Sequence, residues 1–316
     1  MGDGMSTFES FLAEQYPGAD ISELSGSNNV VYSVKTESGP IIAKHVTDSD
    51  IPLSYLADVN DALSVHLPVQ RIFRVCEQER GDAYDAVFSE YVEGENLATV
   101  VAEEPDRLPA EELVAFLCRF VEACRELPGM HGDFGLYKRE APSFGTHVEF
   151  VTYYARRYWG RVRPFYEGTS VAEAVDAWLE GGFAAALRAH PASYGGVPID
   201  ANLKNFVLTP DGRLVVLNVP IVGRSTPAHA VGAIGAHLRH HEAHDLLLDA
   251  VKGGICADDL AMVPHFEVSA LLGIMSFYAV REPEAFPTWR NWGSPVTLDH
   301  DLRSLIATGL MNPEAR

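Results

Sequence analysis

A change of hydrophobic period near residue 97 constrains this chain more than any other feature. Before it, apolar residues alternate. Val30, Tyr32 and Val34 fall on one face of "NVVYSVKT", the period-two pattern of a strand with one buried side. "TESGP" is a turn, and "IIAKHV" is a second strand of an antiparallel hairpin. "QRIFRVCEQ" and "AYDAVFSEYVEG" read as two more strands joined through "QERGD". Between the pairs, Leu53, Leu56, Val59 and Leu63 recur at helical spacing, with Pro52 in the first turn. From Leu97 onward the period lengthens. Leu113, Phe116, Leu117, Phe120 and Val121 share one face of an amphipathic helix, and "HFEVSALLGIMSFYAV" is apolar enough to be a core helix. The pattern predicts an α+β chain, with a small antiparallel sheet first and a larger helical part after it.

Charge narrows the partners. Acids number 44 against 24 lysines and arginines, a formal charge of -20. Such a field repels nucleic acid and anionic lipid, so neither is expected as a partner. Hydrophobic residues make up 47% of the chain, enough for a sizeable core. No run approaches 18 uninterrupted apolar residues, and the acidic start lacks the basic region of a signal peptide. Cys76, Cys118, Cys124 and Cys256 form no C-x-x-C pair. Reduced, mostly buried thiols in a cytoplasmic protein are the expectation.

Several residues carry possible chemistry. Lys44 ends an apolar strand. It is either an edge lysine with its head in water or a point charge turned toward phosphate oxygens. Gly26, Ser27, Asn28 and Asn29 form a small polar turn, able to bring backbone N–H groups to a phosphate. In "VPIDANLKNFVLTPDGRLVVLNVP", Asp200 precedes Asn205 by five residues. A hairpin follows, with Asp211-Gly212 at its turn, and its second strand runs to Asn218. His131-Gly132-Asp133-Phe134-Gly135 looks catalytic, but no strand precedes it and no asparagine follows at the right spacing. Arg156, Arg157, Arg161 and Arg163 interleave with aromatic residues. The reading preferred is a helix with a buried aromatic face whose arginines pair with the surplus acids; binding of an anionic small substrate is the alternative. His237, His241 and His244 would share a face of one continuous helix, which permits a metal reading beside the commoner one of solvated histidines.

The assembled order resembles the aminoglycoside phosphotransferase and choline kinase group within the protein-kinase-like fold, over Ile21 to Leu238. The resemblance implies two lobes, residues 1–92 for the nucleotide with its hinge and 93–316 for a helical lobe with the catalytic-like loop. It implies ATP or GTP, magnesium and a small hydroxylated acceptor. By the same resemblance Gly26 to Asn29 cover the phosphates, and Lys44 holds them with Asp58 as its partner. Ser89, Glu90, Tyr91 and Val92 form the hinge. Asp200 receives the acceptor's hydroxyl proton, and Asn205 binds metal. Two departures stand out: Pro198 replaces the loop histidine, and Asn218 replaces the second metal-binding aspartate. An amide offers magnesium one neutral oxygen where a carboxylate offers charge. An active kinase and a nucleotide- or ligand-binding pseudokinase are therefore both compatible with the sequence.

Overall fold

The computed structural model describes residues 7–24, 30–46, 51–127, 132–138, 140–190, 193–199, 201–217, 221–252, 254, 260–286 and 295–307. The chain divides into two compact units. The first comprises Met1–Asn96, Tyr137–Glu140 and Asn205–Val219; the second comprises Leu97–Leu136, Ala141–Lys204 and Pro220–Arg316.

In the first unit, helix α1 (Thr7–Gln15) leads into strands β1 (Asp20–Leu24), β2 (Val30–Thr36) and β3 (Gly39–His45). Helix α2 (Leu53–Ser64), β4 (Ile72–Cys76) and β5 (Ala86–Glu90) follow. The five strands form one antiparallel sheet in the order β1-β2-β3-β5-β4. Strand alternation sends Tyr32, Val34, Ala43, Ala86 and Phe88 into one core, which Phe8 and Leu12 of α1 complete. Val87 points the other way and packs with Val46 and with Leu53 of α2. The two helices therefore serve opposite faces. Phe8, Phe11 and Leu12 stand at helical spacing, a signal too short to have announced α1.

Two polar side chains fix α2. Pro52 supplies no side-chain cap. Glu77, buried at the end of β4, instead accepts from the backbone N–H groups of Leu53 at 2.9 Å and Ser54 at 3.3 Å. Its negative charge suits a helix N-terminus. Arg80 balances that charge at 2.9 Å. Buried Asn60 donates to the Gln70 carbonyl and accepts from the Ile72 amide, tying α2 to the entrance of β4.

The unit is finished by distant chain. β6 (Glu95–Asn96) pairs with a hairpin made of β8 (Phe206–Leu208) and β9 (Leu214–Val216). The expected Asp211-Gly212 turn is present, with Gly212 at φ 82° and its amide donating to the Thr209 carbonyl. The Gln70 amide donates to the Val216 carbonyl at 2.7 Å.

The second unit is helical apart from a two-stranded ribbon, β7 (Gly195–Pro198) with β10 (Val222–Ser225). Its helices are α3 (Leu97–Glu103), α4 (Ala110–Arg125), α5 (His147–Val162), α6 (Ser170–Ala177) and α7 (Phe183–Ala189). They continue with α8 (Pro227–Leu238), α9 (Ala243–Lys252), α10 (Val263–Arg281) and α11 (Pro295–Ala307). A π-helical turn, Trp178–Gly182, joins α6 to α7. By length and composition alone, the segment Leu260–Arg281 could cross a membrane. Here α10 packs on α5 and α8 and buries Phe266, Leu271, Leu272 and Met275. The approach to α8 is close because Gly232 has no Cβ: one placed there would lie 2.5 Å from the Cβ of Phe266.

The arginine-rich helix serves the fold. Arg163 makes an ion pair with Asp176, which also accepts from the indole of Trp159. Arg156 donates to the Leu179 carbonyl and Arg161 to the Ser276 hydroxyl. The histidine face does not form, because the chain leaves helical geometry after Leu238 and re-enters it at Ala243. His237 is buried, His241 accepts from the Ala243 amide, and His244 meets Glu267 at 2.6 Å. Among the described residues no cluster could hold a metal ion. Cys76, Cys118 and Cys124 are unpaired, and burial raises each thiol's pKa; Cys256 lies outside the described residues.

Because α1 seals a sheet face that is otherwise open, Phe8→Ala is expected to cost about 3–4 kcal/mol, measured as a lower urea midpoint. An unchanged midpoint would show that α1 contributes nothing to that core.

Candidate nucleotide and phosphate site

The first unit carries one unusual cation. Lys44 pairs with Val31 of β2 and Val87 of β5, so it lies in an inner strand of the sheet, not at an edge. Alternation turns its side chain to the face of Val87, the face α2 covers, opposite to that of Ala43. The residue is half-buried. It makes no hydrogen bond or ion pair among the described residues, and burial alone lowers its pKa. The inner position removes the edge-lysine reading. An ammonium partly stripped of water, with no counter-ion among the described residues, is a ready partner for an anion.

Asp58 does not supply that counter-ion. It is exposed on α2, and no ion pair joins it to Lys44 among the described residues. The acid that α2 does use is Glu77, whose role is to cap the helix.

β5 continues into the expected hinge. Ser89 is buried within the sheet and pairs with Ile42 and Ile72. Glu90 is clasped from the β4 side. Its amide donates to the Arg71 carbonyl, its carbonyl accepts from the Gln70 side chain at 2.8 Å, and its carboxylate accepts from the Arg71 amide. Beyond this clasp, Tyr91, Val92 and Glu93 lie outside any strand, and their backbone groups make no hydrogen bond among the described residues. Three successive residues with unused donors and acceptors are suited to the edge of a flat heterocycle. The segment ends at Gly94. A Cβ there would lie 2.3 Å from the Val207 side chain and 2.6 Å from the Leu208 carbonyl oxygen, so Gly94 is where the hinge closes onto β8. Gln70 and Arg71 escaped sequence reading because their partner lies 20 and 19 residues away, respectively, with no motif linking them.

Asn205 ends a 3-10 turn, Leu203–Asn205, just before β8. The hairpin register brings the Leu217 amide to the Asn205 carbonyl at 2.8 Å. Asn205 is thus fixed beside the residue that precedes Asn218 in sequence. Asn218, Asp200 and the turn Gly26 to Asn29 lie outside the described residues. The flanks of Asp200 are ordered by the second unit: the Ile199 amide donates to the Ile221 carbonyl, and Ala201 and Leu203 are buried. Asn202 accepts from the Lys204 amide and rounds the turn. Asp133 is exposed, in a segment pinned through Phe134 and Phe144. The next stretch, Tyr137–Glu140, belongs to the first unit, where Tyr137 stacks on Tyr55 of α2 with ring centroids 3.5 Å apart. That stack was not legible in the sequence.

A nucleotide fits the described groups: a desolvated cation and an unpaired hinge backbone occur in one unit. Magnesium fits less well, since Asn205 and Asn218 offer two neutral carbonyl oxygens.

Lys44→Met keeps the volume and removes the desolvated charge. It is expected to raise the thermal midpoint by a few degrees, about 1 kcal/mol, while abolishing binding of any phosphate ligand. A lower midpoint would mean the ammonium is compensated. Gly94→Ala is expected to cost about 1–3 kcal/mol by urea titration; a neutral result would deny the tight contact with β8.

No protein-family model and no curated protein matches the chain. Solved structures do. Aminoglycoside phosphotransferase APH(4)-Ia aligns at TM-score 0.71 and 14% identity, covering 96% of this chain and 98% of that one. Choline kinase LicA from Streptococcus pneumoniae aligns at TM-score 0.58 and 14% identity, covering 96% and 100%. A choline/ethanolamine kinase family protein from Mesorhizobium loti aligns at TM-score 0.59 and 15% identity, covering 96% and 92%. The chain thus has the kinase-like α+β fold that aminoglycoside phosphotransferases and choline kinases share.

Proposed function

We propose that this protein is an ATP-dependent phosphotransferase, with GTP as the alternative nucleotide, that acts on a hydroxyl of a small molecule. The observation that carries this reading is Lys44, a half-buried cation with no anion among the described residues, in the sheet that also feeds the open hinge backbone. The fold supports it. Ternary complexes of APH(4)-Ia hold AMP-PNP or ADP together with hygromycin B.

In this reading the backbone of Tyr91 to Glu93 meets the purine edge. Lys44 holds phosphate oxygens, and its desolvation strengthens each such contact. The segment Gly26 to Asn29 covers the phosphates with backbone N–H groups. Asp200 accepts the acceptor's hydroxyl proton as oxygen attacks the terminal phosphoryl group. Asn205 and Asn218 would hold magnesium, which supplies positive charge to the phosphates when bound. The charge of -20 favours a small-molecule partner over nucleic acid or an anionic membrane, and unpaired thiols fit a cytoplasmic setting.

Asn218 favours a second reading, in which nucleotide binds and little phosphate moves. One experiment decides between them. ATP consumption with magnesium is followed across a panel of sugars, aminocyclitols and amino-alcohols, for the native chain and for Asn218→Asp. Turnover that needs an acceptor and is lost in Asp200→Asn establishes the kinase. Binding by calorimetry without turnover, with activity appearing only in Asn218→Asp, establishes the pseudokinase. Absence of nucleotide binding overturns both.

A further inference from the structure

We propose that His147, Ser225 and His229 form a buried brace that holds the β7–β10 ribbon and so sets the loop carrying Asp200; they are positioning residues, not catalytic ones. The functional part of this inference rests on the phosphotransferase reading.

The ribbon needs a brace. Two strands alone are marginal in water, and β7 and β10 form a sheet of two. Their register pairs Ser225 with Gly195 at one end and Val222 with Pro198 at the other. The ladder then extends by one bond, from the Ile199 amide to the Ile221 carbonyl at 2.8 Å. Asp200 is the next residue, so slippage of β10 would be felt directly at the start of its loop.

Ser225 is 0% exposed, His147 5% and His229 9%. The Ser225 Oγ lies 2.7 Å from Nε2 of His147, on α5, and 2.8 Å from Nδ1 of His229, on α8. One hydroxyl thus ties the end of β10 to two helices. It has a single proton to give, so at least one ring nitrogen must donate to it, and the tautomers of the two imidazoles are coupled through it. Burial keeps both rings neutral: the pKa of His147 falls to about 4, with Arg224 adding to the effect, and that of His229 to about 3. The rings are wedged as well. His229 stacks on Phe266 at 4.5 Å, and His147 sits 5.0 Å from Tyr194.

The same strand organises a second loop. The Arg224 amide donates to the Gly135 carbonyl, its guanidinium lies over Phe134 at 4.5 Å and donates to the Gly132 carbonyl, and Leu136 bridges to Gly223. A brace at Ser225 therefore controls two loops through one strand.

The test compares the native chain with Ser225→Ala, and with two matched pairs. Asparagine can reproduce Nδ1 of histidine and glutamine Nε2, so His229→Asn is set against His229→Ala, and His147→Gln against His147→Ala. Amide exchange at Ile199 and along β7 is the readout independent of activity; kcat and nucleotide Kd are the others. Ser225→Ala and both alanine variants are expected to speed Ile199 exchange about tenfold. They should lower kcat about tenfold and leave nucleotide Kd within about twofold. The asparagine and glutamine variants should recover most of both losses. Unchanged Ile199 exchange in folded variants overturns the brace, and an unchanged kcat overturns its control of the Asp200 loop. Should the native chain turn over no acceptor, the phosphotransferase reading fails, and the exchange data alone still decide whether the brace exists. Should an alanine variant fail to fold, the glutamine and asparagine variants decide: native-like exchange supports the brace, and exchange as fast as in Ser225→Ala, or as in the other alanine variant, rejects it.

Discussion

The two-residue period of a single antiparallel sheet governs the first unit. It decides that Phe88 and Val87, adjacent in sequence, enter different cores, and that α1 and α2 cover opposite faces. It decides also that Lys44 turns away from Ala43 and toward the α2 side. Burial then does the rest, because an ammonium in that position loses water without gaining a carboxylate among the described residues. Under the proposed function, stability and ligand affinity are opposed at this one side chain.

How much of this was legible depends on the range of the interaction. Alternation in "NVVYSVKT" and helical spacing at Leu113 to Val121 gave β2 and α4, because both are local and repeat several times. The Asp-Gly turn was readable from one dipeptide, since glycine accepts the positive φ that the turn demands. The sequence offered candidate residues for a site, but not their partnerships. Asp58 looked like the partner of Lys44 because it sits on the right helix. Which side of that helix meets the sheet is set by Leu53, Val59 and Leu63, and Asp58 is left facing water. Glu77 and Gln70 carry no motif, and their roles emerge only once strands are side by side. The histidine cluster failed for a different reason: its spacing assumed a helix that stops at Leu238.

The comparison structures make the same point from outside. At 14% identity the likeness to APH(4)-Ia still reaches TM-score 0.71. Buried positions need apolar volume more than particular residues, so a fold can persist while nearly every side chain changes. Polar devices are less portable. A carboxylate capping α2 from β4 and a serine shared by two imidazoles each depend on several residues at once, and such sets are gained or lost together.

The chain's threading has a consequence for synthesis. The sheet of β6, β8 and β9 draws on residues 95–96 and 206–216, and Val216 also receives the amide of Gln70. A ribosome releases the amino-terminal end long before that closing hairpin exists. The nascent first unit must therefore wait, with its final strands still untranslated, while more than a hundred residues of the other unit emerge. Long-range closure of this kind slows folding.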